Sequence, residues 1–157
     1  MFARVLRYVR LPLLLILIYA VLRFLMGPVF GRPYAPRGNA VFSVLGLAVV
    51  SGLYFGAMSN RVGRFSWKGT LLTGYVIGLW AQVLIFLATL LSYLAGVEAT
   101  SYYTHWDSLN VPEGTSVPMG QAMISRAVGL AFGPLLPTVA ALLGRLVFGP
   151  LAPRGEE

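Results

Sequence analysis

Between Lys68 and Glu98 the chain runs for 29 residues without a single charge. Wound as a helix at 1.5 Å per residue, that stretch is about 43 Å long, against a bilayer hydrocarbon core of about 30 Å. No face of such a helix suits water, so its surroundings must be lipid or other protein. Composition shows that the run is no local accident. Of 157 residues, 57% are hydrophobic and 11% are charged, where soluble domains carry about 45–50% and about 25%. A chain this short has too little interior to hide so much apolar surface. An ordinary soluble domain and a disordered chain are thereby excluded, and the absence of cysteine excludes a disulfide-stapled secreted module. The expectation is an all-α integral membrane protein.

Four apolar spans are expected. The first covers about residues 7–26 and ends at Gly27-Pro28. Arg4, Arg7 and Arg10 precede it in the manner of a signal peptide, but no small-x-small cleavage site follows, so it reads as a retained helix. A stretch rich in proline and glycine, Gly31 to Gly38, separates it from the second span, about residues 40–58. The third lies in the long uncharged run, about residues 71–94. The fourth, about residues 127–145, is bounded by Arg126 and Arg145, with 18 uncharged residues between them. Its length of about 27 Å just crosses the core. One longer outer loop, residues 97–121, joins spans three and four.

The positive charges orient this arrangement. The net charge is +7, and eleven of the twelve basic residues are arginines placed beside apolar runs rather than in one patch. They therefore read as topology signals and lipid contacts, and nucleic acid is not expected as a partner. With both termini cytoplasmic, the inner segments hold Arg4, Arg7, Arg10, Arg61, Arg64, Lys68, Arg145 and Arg154, and the outer ones hold Arg23, Arg32, Arg37 and Arg126. Eight against four favours that orientation. The location expected is a cell membrane, inner or plasma, crossed several times. Arg4, Arg7 and Arg10 recur every three residues and share one face toward anionic lipid; docking onto an acidic partner is the alternative.

Small residues supply the packing signal. Gly52 and Gly56, Gly74 and Gly78, and Gly129 and Gly133 each form G-x-x-x-G on the second, third and fourth spans. Such spacing lets backbones approach in lipid, where no hydrophobic effect drives helices together. The faces serve either the bundle itself or contact with another subunit. Pro134 and Pro137 predict a kink in the fourth span. Spans 1–2 and 3–4 do not align as an inverted repeat.

Chemistry is nearly absent from the predicted interior. Ion and proton pathways need ionisable groups at membrane depth, and no acidic residue or histidine falls inside a span. Gln82 is the strongest hydrogen-bonding side chain near a helix centre and is expected to bond a neighbouring helix. Arg23 and Glu98 fall at the same outer level and are expected to pair, with snorkelling of Arg23 to lipid phosphate as the alternative. In the outer loop, Tyr102, Tyr103, His105, Trp106 and Asp107 form a polar-aromatic cluster. One histidine without cysteine makes a poor metal site, and no nucleophile elbow or phosphate loop accompanies it. The cluster suits interfacial anchoring or partner contact. No cofactor and no catalysis are expected. The sequence favours a small accessory or structural subunit, bound to membrane lipids and to other membrane subunits or itself; a small oligomeric transporter or channel is the alternative.

Overall fold

A computed structural model describes residues 1–26, 43–96 and 117–152, and over these the protein is helical. Helix α1 spans Phe2–Tyr8 and α2 spans Arg10–Met26. The two meet at 60° rather than forming one straight first span. Pro12 explains the bend. It has no N–H to offer the carbonyl of Tyr8, and its ring crowds that oxygen. The ladder resumes on either side, from Val9 N to Val5 O at 2.9 Å and from Leu13 N to Val9 O at 3.0 Å.

Helix α3, Val44–Met58, starts where the Ser43 hydroxyl accepts the Gly46 N–H at 3.2 Å. A tight turn follows, in which Arg64 takes the left-handed conformation at φ 52° and Phe65 N bonds Ser59 O at 2.9 Å. That turn points Phe65 inward, where it is 6% exposed. Helix α4, Trp67–Leu94, has 28 residues and begins one turn before the expected boundary. Helices α5, Met119–Phe132, and α6, Leu135–Val147, follow, and a 3-10 turn at Gly149–Leu151 ends the described chain.

Helix α4 and the α5–α6 pair, Met119–Val147, are long and apolar enough to cross a membrane. The bent α1–α2 pair makes a third candidate if it counts as one span. Helix α3 is apolar but has 15 described residues, about 22 Å of helix, short of a crossing. Two details of the fourth span differ from the sequence reading. It starts at Met119, so Arg126 lies inside a helix rather than at its boundary. Pro134 and Pro137 interrupt hydrogen bonding, because neither can donate to the carbonyls of Leu130 and Gly133 four residues earlier. Yet α5 and α6 continue as one span, without the sharp bend that separates α1 from α2.

Contacts along the helices fix their directions. Gly52, Gly56 and Ala57 of α3 meet Pro137, Ala141 and Gly144 in rising order, so α3 and α6 run parallel. Along α4 the order reverses: Gly74 faces Pro137, Gly78 faces Pro134 and Gln82 faces Gly133. Trp80 Nε1 donates to Leu13 O of α2 at 3.0 Å, and Tyr8 donates to Phe55 O of α3 at 2.9 Å. Helices α2 and α4 thus run one way, and α3 and α5–α6 the other. Val5, Val9, Ile16 and Ala20 fill the space against Val44, Ala48, Val76, Ile77 and Ala81.

The tightest approach lies along α6. A Cβ on Gly52 would lie 2.6 Å from the Pro137 carbonyl oxygen, and a Cβ on Gly74 would lie 2.6 Å from the same atom. Gly56 abuts the Ala141 backbone, and Gly144 abuts the Leu53 carbonyl. Backbone cannot swing aside as a side chain can, so even a methyl must push helices apart. Gly52→Ala is expected to lower stability by about 1–3 kcal/mol. Gly120→Ala, where nothing lies within 4 Å, is expected to be neutral or to stabilise by up to about 1 kcal/mol. Thermal unfolding of both variants in mild detergent checks the contrast.

Candidate functional site

The turn between α3 and α4, the start of α4 and the end of α6 converge at one end of the bundle. Five cations lie there, Arg64 and Lys68 by position in the turn and the start of α4, and Arg4, Arg61 and Arg145 by contact. Arg145 is the most deeply engaged. Its Nη1 donates to Thr70 Oγ1 at 2.7 Å and to Phe65 O at 3.0 Å, and its guanidinium lies 4.3 Å from the centre of the Trp67 ring. Thr70 also shares a 2.7 Å hydrogen bond with Ser59, whose hydroxyl lies 2.7 Å from Gly56 O. Ser59 and Thr70 are fully buried. A polar chain therefore ties α3, α4 and α6 together where they end.

Around this chain sit two further arginines. Arg4 donates to Gly63 O at 3.3 Å and lies 5.3 Å from the Phe65 ring centre. Arg61 Nη1 donates to Ala152 O at 2.7 Å. Asn60, Arg61, Trp67 and Arg145 line an open cavity of about 390 Å³, whose lining Leu146, Gly149 and Pro150 complete. Arg7 and Arg10 are exposed. All five acidic residues of the chain, Glu98, Asp107, Glu113, Glu156 and Glu157, fall outside the described residues, so the described part of this end supplies no carboxylate.

Along the buried faces of α4 and α6, hydroxyls turn back onto carbonyls of their own helices. Thr73 donates to Gly69 O at 2.9 Å, Thr89 to Ile85 O at 2.9 Å, Ser92 to Ala88 O at 2.7 Å and Thr138 to Pro134 O at 2.7 Å. This is the usual way for a hydroxyl to hide its donor inside an apolar helix. Gln82, 8% exposed, lays its amide against Gly129 of α5 and Gly133, which caps that helix. These two glycines make room for that amide, whereas Gly52, Gly56, Gly74 and Gly78 admit backbone.

At the opposite end, Arg126 Nε donates to Thr89 Oγ1 at 3.0 Å, and Tyr93 donates to Val117 O at 2.9 Å. Arg23 occupies the last turn of α2. Its expected partner Glu98, and the cluster of Tyr102, Tyr103, His105, Trp106 and Asp107, lie outside the described residues. Among the described residues no three His, Cys, Asp or Glu side chains group as metal ligands.

The sequence marks Arg61 and Arg145 as topology signals and Asn60 as part of the short basic connection, and gives no role to Ser59, Thr70 or Trp67. The signal was available: hydroxyls at 59 and 70 flank a turn that also carries arginine and tryptophan, and a polar residue beside a span end is where a cation turns inward. Compared with protein-family models, with curated proteins and with solved structures, the chain matches none of them.

Thr70→Val would leave the Ser59 hydroxyl and Arg145 each short of a partner, and is expected to cost about 1–3 kcal/mol. Thr73→Val, equally buried, removes only a bond within its own helix and is expected to cost less than about 1 kcal/mol. Unfolding midpoints of the two variants in detergent separate these roles.

Proposed function

We propose that the protein is a small accessory or structural subunit that packs within a larger membrane protein complex and performs no catalysis of its own. The observation that carries this reading is the local use of buried polarity. The hydroxyls of Thr73 and Thr138 each donate to a carbonyl one turn back in their own helix. A solute path needs polar groups aimed across helices into a common space. Glycine against backbone at Gly52, Gly56 and Gly74 supports the same reading, since it makes a close-packed block with little room to rearrange. A second reading, a small oligomeric transporter or channel, draws on Gln82, which stands beside the helix that Pro134 and Pro137 interrupt.

In this reading the chain crosses the cell membrane four times, at α1–α2, α4, α5–α6 and, although its described part is shorter than a full crossing, α3. Both termini and the arginine-rich end face the cytoplasm. The alternating helix directions and the collection of five cations at one end support it. Partners are membrane lipids and other subunits or a second copy, not nucleic acid.

The chain has no cysteine, so single substitutions report sidedness directly. A membrane-impermeant thiol reagent added to intact cells is expected to label Ser101→Cys and to spare Ser66→Cys; the reverse pattern overturns the orientation. For the role itself, purification in gentle detergent is expected to recover other polypeptides at constant stoichiometry. Recovery of a homo-oligomer alone, which moves a solute in liposomes, overturns the accessory reading in favour of the second.

A further inference from the structure

The cavity between the α3–α4 turn and the end of α6 brings two arginines and an amide to one lining. Arg145 is held in place by Thr70, Phe65 O and the Trp67 ring, and these bonds occupy only its Nη1. A guanidinium has five N–H donors, so Nε and Nη2 carry three more. Arg61, anchored through one Nη1 bond to Ala152 O, brings a second guanidinium to the same lining, and Asn60 adds an amide. Trp67 is also the first residue of the 28-residue helix α4, whose Ser66 N-cap makes no side-chain bond. The N–H groups of its first turn therefore add partial positive charge at the cavity. Two planar forks, an amide and a helix start match the oxygens of a phosphate better than those of any neutral group.

The surroundings distinguish the source of that phosphate. Leu146 lines the cavity, and Val139, Leu143 and Leu146 continue from it along one exposed face of α6. Such a stripe, leading away from a cationic pocket at the end of an apolar bundle, suits acyl chains attached to the bound group. We infer that the cavity binds the phosphodiester headgroup of an anionic phospholipid, with Arg61 and Arg145 on the phosphate oxygens and its tails along α6. This site rests on the membrane-spanning reading of the chain and is independent of the accessory role.

Native mass spectrometry of the full chain in mild detergent tests it, with phosphatidylglycerol, phosphatidylcholine and inorganic phosphate as probes. The unaltered chain is expected to retain phosphatidylglycerol in preference to phosphatidylcholine. Arg61→Gln is expected to weaken phosphatidylglycerol binding about tenfold, the loss of one charge-assisted contact. Arg7→Gln removes the same charge outside the cavity and is expected to leave binding unchanged. Arg61→Lys and Asn60→Ala, expected to give intermediate losses, carry the test if Arg61→Gln does not fold. Equal losses in Arg7→Gln and Arg61→Gln overturn the site in favour of diffuse charge. Binding of inorganic phosphate with no preference between the two lipids overturns the headgroup assignment in favour of a free anion.

Discussion

The carbonyl oxygen of Pro137 sits between Gly52 of α3 and Gly74 of α4, close enough that a methyl on either glycine would strike it. Much of the bundle depends on that approach. In lipid, burying a leucine against another helix gains little over leaving it among acyl chains, so helices associate through close packing and polar contacts. Gly56 and Gly144 extend the seam toward the arginine-rich end, and Gly78 extends it toward the opposite end. The proline has a second part in this geometry. It has no N–H to give to Gly133 O, which loosens the ladder at the level where Gln82 needs space beside α5.

The same limited vocabulary explains the ends. Where the glycine seam stops, Ser59, Thr70 and Arg145 take over, joining three helices through hydrogen bonds rather than close backbone contact. Phe65 connects this polar joint to α1: its carbonyl accepts Arg145, while its ring packs edge-on against Tyr8 at 5.2 Å between centres. One turn therefore serves the last helix through its backbone and the first through its side chain.

Long uncharged runs were legible because charge is expensive in hydrocarbon, and they located α4 and most of α6 and α2 directly. The boundaries were less so. Arg126 reads as the edge of a span, but a buried hydroxyl on α4 accepts its Nε, so the helix continues for seven residues before it. Pro12 carried the signal for the α1–α2 bend, yet a proline near the start of an apolar run also fits a first helical turn. The G-x-x-x-G pairs marked which faces meet but could not tell backbone from amide: Gly129 and Gly133 have the spacing of Gly52 and Gly56 and face Gln82 instead. The cationic cavity was hardest to see, because Arg61 and Arg145 are 84 positions apart and each alone is an ordinary flanking arginine.

That seam also sets an order of events during synthesis. The glycine faces of α3 and α4 are complementary to a helix that begins at Leu135, more than seventy residues after α3 ends. Until that helix has left the ribosome, both faces are bare and α3, with 15 residues, has its main partner missing. The glycine seam therefore closes only when Pro137 and Ala141 arrive, and whatever covers those faces before then must give way to them.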